Sequence, residues 1–402
     1  MYLMLPMVCP CFFVHYFIFY LVFLLSKKHR LEIAMKNLNK FVRFIHIYGV
    51  KRALIKTFGR LRLNFPVILF LNPFCIKKNK DIGVIGCGQF AYSTIAFFIT
   101  KKFGARFKFC LDIDDKKSMS FAKAFMVPVS LQAKDIQESI LKSVKLVYIA
   151  SNHASHASYA CYLIEKGVDV YIEKPIAVDK EQFSLLKNAY KENNTNMYVG
   201  YNRPFSSAIS DLKKHMREHV FTLSCIVIGH FIDKDHWYRD PQEGTRVCGN
   251  LGHWIDLAVH LLLHRRRVHY SLKITITYSD ENASDDNISL CLVSDFGDLI
   301  NIVLTSREEP FEGINETIIF QQQHLFAKID DFRRAEFQQG SKKTKKKYKP
   351  KDVGHKNAIM QPFSKNQRNL NEVFLSTDLM LHIMDMVKNK TTHSIYQFRD
   401  IL

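Results

Sequence analysis

The sequence predicts an α/β fold in which a doubly wound parallel sheet precedes an α+β domain with a large, mostly antiparallel sheet. Three observations predict it. An apolar strand runs into a glycine-rich turn at residues 80–91, strand-like and helix-like segments alternate up to about residue 200, and later segments alternate apolar and polar residues. The 402 residues are 47% hydrophobic and 24% charged, which excludes a disordered or low-complexity chain.

The formal net charge of +19 is concentrated in two segments. Residues 1–80 contain 14 Lys or Arg and one acidic residue, and residues 342–351 contain seven Lys and no acid, so the rest is close to neutral. Proteins that follow nucleic acid spread basic residues over their folded surface. We therefore expect no nucleic-acid partner. Segment 340–351 is predicted to be a solvated lysine-rich loop, with anion binding as the alternative.

The N-terminal 79 residues divide into two parts. Residues 3–25 carry no formal charge and are long enough to cross a membrane, and a basic cluster follows them, so residues 1–34 predict a membrane anchor with a cytoplasmic body. Alternatively, translation starts at Met35 and residues 1–34 are an upstream extension. Residues 35–79 predict a basic amphipathic helical extension, which lies on a membrane surface or docks on its own domain.

The predicted cofactor domain, residues 80–200, opens on a dinucleotide signature. Gly86 permits a tight turn, Gly88 lets a pyrophosphate approach the backbone, and Ala91 lets the following helix pack on the strand. The N-terminus of that helix offers free N–H groups to a phosphate. Gln89 and Phe90, within the same turn, complete the predicted cofactor-binding residues of this loop.

An acidic residue at the end of the second strand indicates which dinucleotide binds. Strand Phe107–Leu111 ends in Asp112, where a carboxylate accepts hydrogen bonds from ribose hydroxyls and repels a 2′-phosphate. NAD is therefore the predicted cofactor. Lys116 and Lys117 lie close by in sequence and keep NADP as the alternative.

Two further strands end in polar residues at the edge where such sheets bind ligands. Segment 145–150 is followed by Ser151 and Asn152, and segment 168–172 by Glu173 and Lys174. All four are predicted to contact the cofactor. Partial burial would lower the pKa of Lys174, so that it can hydrogen-bond a substrate hydroxyl; the alternative is a surface lysine paired with Glu173.

Several motifs together resemble the glucose–fructose oxidoreductase, inositol dehydrogenase and MocA family. They are VIGCGQFA, IASNHASHA, GVDVYIEKPIA, GYNRPFS and GNLGHWIDLAVHLL. The resemblance implies a Rossmann domain, a second domain with the substrate pocket and often an oligomer interface, and reversible oxidation of a secondary hydroxyl in a sugar, inositol or nucleotide sugar. It implies that Lys174 and His253 are catalytic, that His156 lies in the cofactor domain, and that Arg203 lies near nicotinamide and substrate.

One position departs from the family pattern. Many members have an aspartate four residues before the histidine, where this chain has Gly249 followed by Asn250. A subgroup associated with surface-polysaccharide sugars also lacks the aspartate, and the segment from HWYRD to HWID resembles it most. The departure leaves the proton relay and the substrate open.

The second domain, residues 201–402, has its own strand and helix patterns. Period-two alternation predicts antiparallel strands at residues 222–231, 271–277, 289–293, 299–304 and 317–326. Residues 249–263 predict a helix with Asn250, His253 and Asp256 on one face. Asp256 is predicted to orient His253 or hold substrate, with a structural acid as the alternative. Trp237 is a candidate face for a sugar ring, while packing is its alternative.

These residues predict an NAD(P)-dependent oxidoreductase, and the resemblance implies that it acts on a small sugar-type molecule and forms a homo-oligomer. His253 accepts the hydroxyl proton and Lys174 stabilises the oxygen. The predicted substrate-binding residues are Lys174, Arg203, Trp237, Asn250 and His253. No metal is expected, although His253, Asp256 and His260 offer a weaker metal alternative. A non-catalytic redox sensor or scaffold is the alternative function.

Overall fold

The computed structural model describes residues 38–39, 41–62, 65–71, 79–131, 136, 138–265, 271–307 and 313–398. The predicted membrane segment 3–25 and the alternative start at Met35 lie outside these residues. Within the described ranges, no helix combines the length and the apolar character that crossing a membrane requires.

The first sheet is parallel and six-stranded, with the order β3-β2-β1-β4-β5-β6. Its strands are β1 Ile82–Ile85, β2 Phe107–Leu111, β3 Val129–Leu131, β4 Leu146–Ile149, β5 Asp169–Ile172 and β6 Met197–Val199. From β1 the chain adds β2 and β3 on one side and then β4 to β6 on the other side. Such a reversal of strand order opens a crevice at the carboxyl ends of β1 and β4. The predicted doubly wound parallel sheet is confirmed.

Helices cover this sheet, and further helices belong to the second domain. In chain order they are α1 Val50–Leu61, α2 Ile68–Leu71, α3 Ala96–Phe103, α4 Asp115–Phe125, α5 Glu138–Leu141, α6 His156–Glu165, α7 Lys180–Glu192, α8 Ser207–His215, α9 Gly252–Leu263, α10 His355–Ile359 and α11 Leu370–Lys388. Helices α3 and α9 each follow a π-helical turn, Ala91–Ile95 and Val247–Leu251. A π-helical turn inserts an extra residue and is frequent at functional sites.

The basic extension is docked on the first domain. Residues 41–48 are helical, Gly49 breaks the helix at φ +82°, and α1 follows. Ile55 and Phe58 of α1 are buried in one apolar cluster with Tyr92 and Ile95. The docked interpretation of the amphipathic pattern is therefore confirmed for α1.

The second sheet has nine strands in the order β14-β13-β12-β11-β7-β10-β9-β8-β15. Its strands are β7 Thr222–Ile228, β8 Ser271–Tyr278, β9 Ile288–Ser294, β10 Leu299–Thr305, β11 Asn315–Gln322, β12 Leu325–Asp330, β13 Arg334–Gln339, β14 Lys342–Lys347 and β15 His393–Gln397. Among the strand pairs that the structure describes in this sheet, only that of β7 with β10 is parallel. The predicted mostly antiparallel sheet is confirmed.

The lysine-rich segment corrects one prediction. Residues 342–347 form β14, the edge strand paired with β13, and not a solvated loop. Glu336 on β13 forms an ion pair with Lys343, which offsets part of the charge. Lysine is compatible with an edge strand because its side chain stays in water and discourages further strand pairing.

One face of the second sheet carries the core of this domain. Along β9 and β10, buried residues alternate with less buried ones, as expected for a sheet with one covered face. Helix α9 packs along α11, and both contribute buried apolar side chains to the cluster that contains this face. The covered face therefore fixes α9, the helix that carries His253.

Candidate active site

The glycine loop after β1 is shaped for a close backbone approach. Gly86 has φ +85°, and a Cβ there would lie 2.4 Å from the backbone of Ala150, so only glycine fits. A Cβ at Gly88 would meet nothing within 4 Å, which leaves open space over the loop. Ala91 is fully buried between its helix and the sheet. The loop thus fits the diphosphate that the sequence predicts.

The side chains of Gln89 and Phe90 contact residues outside the first domain. The Gln89 Nε2 donates to the carbonyl oxygen of Lys56 at 2.9 Å. The Phe90 ring packs edge-on against His355, with centroids 5.5 Å apart. Their side chains therefore tie the loop to α1 and to the second domain, while their backbone N–H groups belong to the turn at the helix N-terminus.

Asp112 is held at the end of β2 by the glycine loop. Its Oδ2 accepts a hydrogen bond from the Cys87 N–H at 2.7 Å, and its Oδ1 accepts one from the Asp114 N–H at 2.9 Å. Each carboxylate oxygen can accept a second hydrogen bond. Asp112 therefore remains able to accept hydrogen bonds from ribose hydroxyls.

The loop after β4 is bound by a residue of the second domain. Asn152 Nδ2 donates to Glu243 Oε1 at 2.7 Å, and the Ala154 N–H donates to Glu243 Oε2 at 3.2 Å. The Ser151 hydroxyl accepts from the Ser155 hydroxyl at 2.7 Å. Sequence reasoning missed Glu243, because its partners are about 90 residues away in the chain and it belongs to none of the motifs.

His156 connects two strand-end loops. Its Nδ1 lies 2.8 Å from the Pro175 carbonyl oxygen, and its Nε2 lies 3.2 Å from that of Ser151. Burial lowers the pKa of His156 to about 4. The ring is thus a positioning residue for the turn that carries Lys174.

Lys174 reaches from the first domain to the helix of the second. Its Nζ donates to the Gly249 carbonyl oxygen at 2.8 Å. Its neighbour Glu173 is buried, accepts from the Tyr171 hydroxyl at 3.0 Å, and packs where Gly200 has no side chain. Burial raises the pKa of Glu173 and lowers that of Lys174. Lys174 is therefore not the surface lysine of the alternative interpretation.

His253 lies at the start of α9, one helical turn after Gly249. Its ring meets Tyr201 edge-on, with centroids 6.1 Å apart. In the part of the chain that the structure describes, His253 Nδ1 and Asn250 Oδ1 are buried atoms without a hydrogen-bond partner. Burial, with the charges of Arg203 and Lys174, holds the pKa of His253 well below 6.5. A neutral imidazole of this kind can accept a proton.

Arg203 forms a buried ion pair with Glu316. Its guanidinium donates to Glu316 and, at 2.9 Å, to Asn202 Oδ1, and it lies over the Trp254 ring. Arg203 Nε and Glu316 Oε2 have no hydrogen-bond partner among the described residues. Glu316 was missed from the sequence because it lies in β11 without any motif around it.

Asp256 is not placed against His253, which corrects the prediction that it orients the imidazole. It is fully buried, and its two oxygens accept from Arg368 Nη1 and Nη2 at 2.7 and 2.9 Å. The Ser376 hydroxyl adds a third hydrogen bond at 3.0 Å. Asp256 is thus the structural acid of the alternative interpretation, because a buried carboxylate needs such partners.

The metal alternative finds no support in the residues it named. His260 Nδ1 lies 2.8 Å from Glu372 Oε2, and its Nε2 lies 2.9 Å from Lys213 Nζ. Over the described ranges, no group of three or more His, Cys, Asp or Glu residues has an arrangement that could hold a metal ion.

Two aromatic residues of the second domain, Trp237 and Tyr238, contact the loop that follows β4. The His153 ring contacts Trp237 and Tyr238 edge-on, with centroids 5.3 and 5.0 Å away. Trp237 remains 49% exposed, so its ring is accessible to a ligand. A Cβ at Gly249 would lie 2.0 Å from the Tyr238 hydroxyl. The Tyr238 ring therefore occupies the space that any side chain at position 249 would need.

Residues 80–201 match the model of an oxidoreductase family with an NAD-binding Rossmann fold. The glucose-6-phosphate 3-dehydrogenase of Bacillus subtilis is 26% identical over 189 residues, which are 46% of this chain and 52% of that protein. An inositol 2-dehydrogenase of Burkholderia multivorans is 26% identical over 135 residues, 33% of this chain and 40% of its own. The chain spans about half or less of the length of these curated relatives.

Solved structures share the two-domain fold at low identity. A levoglucosan dehydrogenase in complex with NADH and L-sorbose superposes with a TM-score of 0.65 at 14% identity, and covers 81% of this chain and all of its own. A dehydrogenase (MviM) from Clostridium difficile gives 0.62 at 20% identity, with 77% and 99% covered. At these identities the likeness establishes the fold.

Proposed function

We propose that this chain is an NAD-dependent dehydrogenase, because residues 80–201 match the model of an oxidoreductase family with an NAD-binding Rossmann fold and its motifs resemble the glucose–fructose oxidoreductase, inositol dehydrogenase and MocA family. Its substrate would carry a secondary hydroxyl on a sugar, an inositol or a nucleotide sugar, including sugars of surface polysaccharides. Glucose-6-phosphate and inositol dehydrogenases among the relatives support this substrate class. NADP remains the alternative cofactor.

One observation carries the proposal. Lys174 Nζ, from the first domain, donates to the Gly249 carbonyl oxygen at 2.8 Å, one helical turn before His253 of the second domain. A neutral imidazole beside a lysine ammonium provides a base for a hydroxyl proton and a donor for the remaining oxygen.

The residues of the chain have separate roles in this mechanism. His253 accepts the proton of the substrate hydroxyl, and Lys174 donates a hydrogen bond to the same oxygen as negative charge develops. The charge of Arg203 helps to keep the imidazole of His253 neutral, while Trp237 offers a ring face to the sugar. Asp112 and the loop at Gly86 and Gly88 would hold NAD, which supplies the hydride acceptor when bound.

The test is a substrate screen that follows absorbance of reduced nicotinamide. Nucleotide sugars, free sugars and inositols are offered to the wild type, His253→Ala and Lys174→Ala, each with NAD and with NADP. We expect turnover of at least one substrate by the wild type and a loss of at least 100-fold in kcat/KM in both variants. NADH binding without turnover of any substrate would favour the sensor or scaffold alternative.

A further inference from the structure

Helix α1 lies outside the family match, yet its C-terminal end bonds the glycine loop. The Lys56 carbonyl oxygen accepts from Gln89 Nε2 at 2.9 Å. The next residue after the helix, Arg62, donates from Nη1 to the Cys87 carbonyl oxygen at 2.9 Å. Cys87 stands between the two glycines of the loop. The extension is therefore in direct contact with the backbone that would bind a dinucleotide.

Close packing fixes the helix at this place. A Cβ at Gly59 would lie 2.8 Å from Cδ1 of Tyr92 and 3.0 Å from Oε1 of Gln89, so α1 lies as near to the loop as a bare backbone permits. Tyr92 is fully buried under it. The segment before α1 also bonds the second domain, since the Ile47 carbonyl oxygen accepts from the Lys351 N–H at 2.9 Å.

The helix contacts the loop without filling the space in front of it. Nothing lies within 4 Å of a Cβ built at Gly88, although Arg62 bonds the residue immediately before it. Arg62 Nη1 also lies 3.3 Å from the Ser120 hydroxyl of α4. The guanidinium thus bridges the loop and α4, at the border of the open space.

The charged side chains of α1 are all basic. Helix α1 contains Lys51, Arg52, Lys56 and Arg60 and no acidic residue, and Arg62 closes it with a backbone N–H that donates to the Phe58 carbonyl oxygen. A guanidinium beside a glycine-rich turn that leads into a helix is a favourable environment for a phosphate oxygen.

We propose that Arg62 is a cofactor-binding residue that contacts the diphosphate of the dinucleotide. The inference rests on the NAD site of the proposed function and extends that site to a helix outside residues 80–201. Helix α1 then contributes to the affinity for the cofactor in addition to packing on the domain.

The test measures equilibrium binding of NADH and of NADPH to the full chain by fluorescence titration, without substrate. Arg62→Gln is compared with Arg60→Gln, which removes the same charge from an exposed residue stacked on Phe44. We expect Arg62→Gln to raise Kd about tenfold for both nucleotides, as for one charge-assisted hydrogen bond, and Arg60→Gln to leave it within twofold. Arg62→Lys should retain part of the affinity, and thermal unfolding checks that all variants fold.

Each other outcome overturns the inference in a distinct way. Equal affinity of Arg62→Gln and wild type, or an equal loss in Arg60→Gln, rejects a specific contact but leaves the proposed function standing. A loss confined to NADPH assigns Arg62 to the 2′-phosphate and rejects the diphosphate contact. A wild type that binds neither nucleotide rejects the proposed function together with the inference.

Discussion

Lys174 and His253 are suited to proton transfer because the protein lowers the pKa of each side chain below its ordinary value. Burial lowers the pKa of the Lys174 ammonium from 10.5 and holds that of His253 well below 6.5. At neutral pH the pair is therefore a cation beside a neutral base. The ammonium can stabilise an oxygen on which negative charge develops, and the imidazole can take its proton.

These pKa directions predict the pH profile of kcat/KM for alcohol oxidation. As pH rises through the lowered pKa of Lys174, the ammonium loses its proton, so activity should fall at a pH below 10.5. His253 should contribute no acidic limb near 6.5, because it is already neutral there. Steady-state kinetics between about pH 5.5 and 10 test this.

Lys174→Arg is the control for that profile, since a guanidinium stays charged to a pH above about 12. Whatever its residual rate, the alkaline limb should disappear in this variant. An unchanged limb in Lys174→Arg, or a limb near 6.5 in the wild type, would assign the titration to other groups.

Glycine is needed at position 249 because the Tyr238 ring leaves no space for a side chain, and not because of an unusual backbone conformation. A Cβ there would meet the tyrosine hydroxyl at 2.0 Å and Cζ at 2.3 Å. We expect Gly249→Ala to lower the free energy of unfolding by about 1–3 kcal/mol, the usual cost of overpacking. In a Tyr238→Ala background the same change should be neutral or stabilising, because alanine favours a helix.

Urea denaturation of the two single variants and the double variant measures this coupling. A cost for Gly249→Ala that is the same in both backgrounds would contradict it, because the tyrosine would then not be the obstructing group. The cycle also bears on the family difference at this position: a side chain at 249 and the Tyr238 ring exclude each other.

At the scale of elements, α9 is fixed by a buried ion pair with the segment before α11. Asp256 and Arg368 are both buried and joined by two hydrogen bonds, with Ser376 of α11 as a third partner. The pair holds α9, and with it His253, against α11 and the segment before α11. Its role is therefore to position the helix.

We expect Asp256→Ala to destabilise the protein by about 3–5 kcal/mol, since it leaves the Arg368 guanidinium buried without its partner. Replacing both residues by apolar ones, Asp256→Leu with Arg368→Met, should recover most of that loss. Denaturant unfolding measures both. In Asp256→Asn, the pH profile of kcat/KM should keep its shape, whereas a role in orienting His253 would shift it.

The predicted ends of helices and strands agree with the structure where turn residues mark them in the sequence. They are wrong where no such residue is present. Strand β2 was predicted with its observed ends. Residues 317–326 were predicted as one strand, whereas β11 and β12 meet at a turn there. Gln323 adopts φ +47° in that turn, a conformation that the sequence did not signal because glycine or asparagine usually provides it.

For the whole molecule, the first sheet and the glycine loop could be predicted because their determinants are local. The dinucleotide signature, Asp112 and the strand ends lie within a single stretch of about 100 residues. The partners of Asp256 could not be predicted in this way, since Arg368 lies 112 residues away. The same holds for Glu243 and for Arg62, whose contacts cross between domains or between the extension and the loop.

Strand β14 also bears on how copies of this protein can meet. If the β14 edge strands of two copies paired, the two strands would lie about 4.8 Å apart. Each strand would bring five lysines to this border between the copies. Electrostatic repulsion between them opposes fibre-like growth by continued strand addition at this border. Any self-association that preserves the fold should therefore use another surface, and crowded or concentrated solutions should not convert this border into an aggregation nucleus.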